Sequence, residues 1–288
     1  MRKRSTGFLL LLPLAAITLL VLAACAHVVA QGLGVVPAFG LEEPTIAYFA
    51  AVLTDGDFLA SLAVSLRIAA LSALLSAVLG TALCAALAAW RRRWALYLVR
   101  LPILVPHAVV ALFTITLFSQ TGLLARLAWA MGLIGEAGDF PQLLYTPQGW
   151  GVVLAYLWKE IPFVAYFILA LMSSVSATLG EAAENLGASP LRSFFTVTLP
   201  LSLPAIAKAG LIIFLFAFGG YELPLLLGAT VPKALPVAAY QAYLDPELTR
   251  RPYAMAMFSV ILLLSVAMAG LWGLAARGLE RRLEGGRP

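Results

Sequence analysis

Few residues in this chain can carry chemistry, and most of them interrupt apolar runs. Trp158-Lys159-Glu160-Ile161-Pro162 places two opposite charges and a proline inside one such run. Phe218-Gly219-Gly220-Tyr221-Glu222-Leu223-Pro224 places an acid between two glycines and a proline inside another. A charge about nine residues into a span, ~14 Å deep at 1.5 Å per residue, is costly unless it faces a partner or a wet cavity. Two readings of Lys159 and Glu160 follow, pairing with a neighbouring helix or lining a pathway. Glu222, with Tyr221 beside it, is the first choice for a pathway residue, because broken helices are where transporters put binding groups. The alternative is that the span ends there and Glu222 is wet. Arg67, near one end of its run, can snorkel outward. His107 reads as a packed or hydrogen-bonded histidine, since His27, the other one, is distant in sequence.

Other chemistry has no residues to carry it. No G-x-x-x-x-G-K-[ST] is present to cradle nucleotide phosphates, and no H-E-x-x-H, Cys/His cluster or G-x-S-x-G supports a metal or serine-nucleophile enzyme. Neither a catalytic residue nor a metal ligand is therefore assigned. Cys25 and Cys84 both lie in apolar runs and imply no disulfide framework. Any energy for work must come from a partner or an ion gradient.

The elements that position these groups are membrane spans. The chain has 288 residues, 62% of them hydrophobic and 11% charged, and its mean hydropathy of +0.96 excludes an ordinary soluble domain. The reading is all-α, one polytopic domain over residues 1–288 with about six transmembrane helices. The spans fall near Phe8–Ala30, Leu59–Trp90, Leu101–Gln120, Trp150–Ser173, Leu203–Leu227 and Tyr253–Ala276. Pro102 and Pro106 then sit in the first turns of the third. The N-terminus, with Arg2-Lys3-Arg4 and Leu22-Ala23-Ala24-Cys25, imitates a lipoprotein signal, but the apolar run continues past Cys25 and is expected to be retained. The net charge of +5 sits at the edges of apolar runs, so it reports topology rather than nucleic acid. Residues 31–57 carry four acids and no Lys or Arg, whereas Arg91-Arg92-Arg93 and the Arg277–Arg287 group flank other spans. The positive-inside rule then puts both termini in the cytoplasm. A short amphipathic piece, Leu123–Leu133, is expected to lie at the outer interface.

One segment between spans four and five is organised differently. Thr178 and Glu181 form a T-x-x-E capping box, and Leu179, Ala182, Ala183 and Leu186 recur at helical spacing. Gly187 stands where a left-handed residue would end that helix. Ser189-Pro190 starts another as N-cap and first helical position, with Leu191, Phe194 and Phe195 on its apolar face. Leu199-Pro200 and Pro204 lead into the next apolar run. An amphipathic surface helix would satisfy the same pattern.

The spacing E-A-A, three residues, Gly187, nine residues, Val197, one residue, Leu199-Pro200 resembles the EAA motif of ABC importer permeases, with Val where that family usually has Ile. The order and length of the spans extend the resemblance over most of the chain. It implies the MetI-like, type I importer permease fold in a bacterial cell membrane. Glu181, Ala182, Ala183, Gly187 and Ala188 would contact the ATPase, and Leu199 and Pro200 would set the following helix. The implied partners are an ATPase dimer carrying ATP and Mg, a second permease subunit (a paralogue or an identical copy) and an extracytoplasmic substrate-binding protein. The chain itself would bind no cofactor and no nucleic acid. The wider stretches look most like permeases for polyamines, iron, thiamine, sulfate and phosphonate. Glu222 would suit a cation such as a polyamine, and Lys159 an anion. The rival from another class is an ion-coupled secondary transporter or channel using the same intramembrane charges.

Overall fold

The computed structural model describes residues 2–90, 93–175, 182–183 and 185–285. Among them the regular structure is helical, with an isolated bridge between Val36 and Leu41. Six helical stretches are long and apolar enough to cross a membrane. This is the expected span number, and it follows from the bilayer: a span needs about 20 apolar residues because only a closed hydrogen-bonded helix satisfies its backbone in lipid. The chain divides into two compact units, one of residues up to Leu59 with Leu235–Val266, the other of Ala60–Ala234 with the segment from Ala267 onward.

In the first unit, α1 (Arg2–Gly32) and α2 (Ala47–Thr54) join the start of α3 (Gly56–Trp90), with α11 (Leu235–Tyr243) and the first half of α12 (Arg251–Gly285). Small residues let α1 and α12 approach closely. The Ser259 hydroxyl donates to the Met255 carbonyl at 2.7 Å and lies 3.4 Å from that of Val28. At the end of α2, the Tyr253 hydroxyl donates to the Asp55 carboxylate. That bond and the Asp57 amide hold the Asp55 carboxyl below its usual range. A depressed carboxyl stabilises the fold above its unfolded pKa and loses that contribution as pH falls through the folded one. Tyr253→Phe should therefore cost about 0.5–1.5 kcal/mol at neutral pH. The difference from wild type should shrink on acidification, read as melting temperature against pH.

The second unit is built around α7 (Trp150–Val175). α4 (Arg93–Leu104), α5 (His107–Phe118), α9 (Leu199–Phe218) and α10 (Glu222–Leu227) all pack on it. Its core face carries Val152, Val153, Tyr156, Val164 and Ile168, all buried. α3 meets α7 at Gly80, where a Cβ would lie 2.6 Å from that of Val164 and 2.8 Å from the Ile161 carbonyl oxygen. α6 (Leu123–Ala130) is a separate short helix packed on α5. The four-residue helix α8 (Pro190–Ser193) runs into a π segment, Phe194–Thr198, and then directly into α9.

The helices that carry two of the spans begin earlier than the apolar runs suggest. α4 starts at Arg93, so Pro102 lies inside it rather than in a first turn, and Pro106 stands between α4 and α5 as the N-cap of the latter. The apolar stretch His107–Ala130 is not one rod either, since residues 119–122 turn between α5 and α6. α4 and α5, separated by Val105 and Pro106 alone and both packed on α7, make the crossing. The fifth span does not begin near Leu203. Leu199 donates its N–H to the Phe194 carbonyl, and the helix is continuous from Pro190 to Phe218. Pro200 has no N–H to return four residues, and the turn before it widens to π.

Candidate functional site

Lys159, Glu160, His107 and Glu222 lie close to two breaks in the helices of the second unit. In an unbroken third span the Val105 carbonyl would accept the N–H of Val109. Pro106 disrupts that turn, and Val109 and Val110 both donate to the Pro106 carbonyl at 3.1 Å instead. The orphaned Val105 oxygen is taken by Lys159 of α7, whose Nζ donates at 2.7 Å from a buried position, 9% exposed. An ammonium is the right group for this place. It satisfies the carbonyl that the helix break orphans, and it faces the negative end of the α4 dipole.

The second break lies between Phe218 and Glu222. α9 ends with the Gly219 N–H on the Leu215 carbonyl, and α10 begins after Tyr221, which occupies its N-cap. Glu222 is thus the first residue of α10, and His107 the first of α5. These two starting residues meet, with His107 Nδ1 3.9 Å from Glu222 Oε2. The histidine ring is tilted against Phe216, centroids 5.3 Å apart, and Phe216 in turn receives the edge-on Tyr156 ring. His107 Nε2 is buried with no hydrogen-bond partner among the described residues. The histidine is therefore packed, as its sequence context suggests, and also faces an acid.

A cavity of about 210 Å³ opens beside these groups, walled by Ile103, His107, Lys159, Glu160, Phe163 and Phe216 among others. Four elements contribute, α4, α5, α7 and α9. Lys159, Glu160 and His107 are brought to one cavity. Glu222 stands at its edge through His107, with its side chain 65% exposed, and Tyr221 is not among the lining residues. Tyr156, His107 and the Val105–Pro106 break are the parts of this arrangement that the sequence reading did not assign to a site. A signal existed for the last: proline one residue before a histidine, between two apolar runs. Among the described residues no group of His, Cys, Asp and Glu could hold a metal.

The second candidate is the polar segment before α8. Glu181, with the Thr178 box, lies outside the described residues. Ala182 and Ala183 are helical; the Leu186 N–H donates to Ala182 and the Ala188 N–H to Ala183, at 3.1 and 3.0 Å. The latter is the 6→1 bond of a Schellman ending, and Gly187 has the φ of +91° that such an ending needs. Ser189 caps α8, accepting the Arg192 N–H, and Pro190 is its first residue. Leu186 is 89% exposed, and Leu191 and Phe195 also project outward. Leu199 and Pro200 lie within the continuous helix, at the start of α9.

Among the described residues, broken helices, six stretches long and apolar enough to cross a membrane and an exposed helical segment between two of them are the features of a multi-pass membrane protein. The chain belongs to the family of binding-protein-dependent transport system inner membrane components, which its residues 76–283 match. It is a transport permease component of the ABC importer type and not an enzyme. Relatives include the molybdenum transport system permease protein ModB of Haemophilus influenzae, 24% identical over 187 residues, 60% of this chain and 73% of the relative. The putrescine transport system permease protein PotI of Escherichia coli K12 is 25% identical over 192 residues, 65% of this chain and 60% of the relative. The crystal structure of a bacterial ABC transporter involved in import of the acidic polysaccharide alginate matches with a TM-score of 0.75 over 96% of each chain, at 20% identity.

Proposed function

We propose that the chain pairs with a second permease subunit, a paralogue or an identical copy, to form the translocation pathway of an importer driven by two ATPase subunits. A substrate-binding protein would deliver solute from outside. Both termini and residues 181–188 would then be cytoplasmic, with ATP and Mg held by the ATPase. The observation that carries this reading is the continuous helix from Pro190 to Phe218. One end lies beside the exposed Leu186, Leu191 and Phe195; the other carries the cavity residue Phe216. A partner docked on Glu181, Ala182, Ala183, Gly187 and Ala188 would act on that helix across one short turn that ends at the Ser189 cap. In a solved relative with the same fold, the alginate transporter is in complex with a pentasaccharide-bound periplasmic protein.

A small charged solute suits the cavity, and the balance of charge supports a cation such as a polyamine. Lys159 commits one of its N–H donors to Val105, whereas two carboxylates, Glu160 and Glu222, stand in the wall and at the edge of the cavity. The first experiment is purification of the tagged complex from wild type, Glu181→Lys and Gly187→Glu. A P-loop ATPase should accompany wild type and be lost from both variants. A protein that purifies alone and moves solute without ATP would overturn the reading in favour of an ion-coupled carrier. Competition of labelled solute uptake by putrescine and by molybdate separates the charge classes.

A further inference from the structure

The face that α4 turns outward is apolar and aromatic. Trp94, Tyr97, Leu98, Leu101 and Leu104 recur at helical spacing, and all are exposed. Within this apolar stripe lies an exposed Arg100. Its guanidinium carbon sits 4.8 Å from the centre of the Tyr166 ring of α7 and 5.8 Å from that of Tyr97. No carboxylate pairs with it among the described residues. Stacking occupies the faces of a guanidinium and leaves its edge, with five N–H donors, pointing elsewhere.

The level of this group in the membrane can be fixed from two sides. Tyr166 lies ~24 Å along α7 from its start at Trp150, at 1.5 Å per residue, towards the far side of a ~30 Å hydrocarbon core. Leu101–Phe118, the part of the third span beyond Arg100, is long enough at ~27 Å to cross most of the hydrocarbon core. Arg100 and Tyr166 therefore stand at one boundary of the core. In sequence, Arg91-Arg92-Arg93 precede Arg100, on the side away from the apolar run that begins at Leu101. Aromatic rings with amphipathic edges are what that boundary selects, and basic pockets between spans are what anionic headgroups select.

We propose that Arg100, held between Tyr97 and Tyr166, binds the phosphate of an anionic phospholipid in the leaflet facing Arg91–Arg93, with an acyl chain lying along Leu98, Leu101 and Leu104. A planar guanidinium and a phosphate pair through two parallel hydrogen bonds, and the aromatic faces fix the plane of the fork. A free phosphate would use the same fork and leave the leucine stripe uncovered. The leaflet is the cytoplasmic one on the orientation proposed above, but the site itself stands whichever way the chain is oriented.

The test is native mass spectrometry of the intact complex purified in mild detergent, titrated with phosphatidylglycerol and, separately, with glycerophosphoglycerol. Wild type should retain phosphatidylglycerol and ignore the soluble headgroup. Arg100→Gln should bind the lipid roughly tenfold more weakly, as expected for losing one charge-assisted pair. Arg100→Lys should recover part of the loss, and Tyr166→Leu, which keeps the charge, should fall between. Equal lipid retention in all four proteins would overturn the proposal. Equal binding of lipid and soluble headgroup would make it a phosphate site instead. Cysteines at Leu98 and Leu101 that cross-link to the second permease subunit would make the stripe a subunit interface and also overturn it. If Arg100→Gln fails to assemble, Tyr166→Leu against wild type decides the same question.

Discussion

Lys159→Met should lose about 1–3 kcal/mol of stability, because it leaves the Val105 carbonyl without the donor that the helix break requires. Methionine fills much the same volume and is at home among apolar side chains, so packing contributes little to the loss. Lys159→Arg keeps a donor and a charge and should retain most of the stability. The physical content is the asymmetry between making a hydrogen bond and orphaning one partner. In the wild type Lys159 links α7 to the junction of α4 and α5 across 54 residues of sequence. Without it, those two helices are joined by a proline turn whose free oxygen must find another donor. Thermal unfolding of the purified protein measures the first effect, and solute uptake in cells the second. Uptake should fall in Lys159→Met more than in Lys159→Arg. A Met variant as stable as wild type would mean that the Val105 bond contributes nothing net.

Gly80→Ala should destabilise the protein by about 1–3 kcal/mol, which is the usual cost of forcing a methyl group into a filled core. The neighbours of the new Cβ are the Cβ of Val164 and the backbone oxygen of Ile161, at 2.6 and 2.8 Å. Neither belongs to a side-chain tip that could swing aside, so α3 and α7 must separate. Small residues at such crossings let helix backbones approach where no hydrophobic drive exists between lipid-like surfaces. Gly80→Leu should be worse than Gly80→Ala, and both are read as the melting temperature of the detergent-solubilised protein. Val164 lies one turn beyond Glu160 on α7, so the same displacement moves the cavity wall. An unchanged melting temperature for Gly80→Leu would show that the crossing is looser than its geometry.

What the sequence made legible is what a bilayer enforces locally. Six apolar runs stand out because each must be long enough to close its own hydrogen bonds. The break before Glu222 stands out because Gly219, Gly220 and Pro224 are poor residues for a continuous helix. The left-handed turn at Gly187 is visible for the same local reason. What stayed hidden depends on residues far apart in the chain. Lys159 could be read as a partner for a helix or as a pathway residue, and the structure gives it both a carbonyl partner and a place in the cavity wall. The helix Arg93–Leu104 stayed hidden because arginines bracket its first turns, so Pro102 was expected in a first turn and lies inside α4 instead. The tight crossing at Gly80 has no sequence signature at all, since a lone glycine in an apolar helix is common. Leu199-Pro200 looked like the lead-in to a span near Leu203, because a proline is expected at the entry of an apolar run rather than inside a helix. Here the preceding residues had already wound into a π turn that accommodates it.

That π turn sets a definite gearing. Phe194–Thr198 holds one residue more per turn than the α-helix on either side. If the segment were to tighten to α geometry while α8 stayed fixed, everything beyond it would advance by ~1.5 Å and rotate by roughly 100° about the helix axis. Ile212, Ile213 and Phe216, which wall the cavity, ride on that same axis. The helix thus stores, one turn from its exposed end, a screw step large enough to exchange the residues presented at the other.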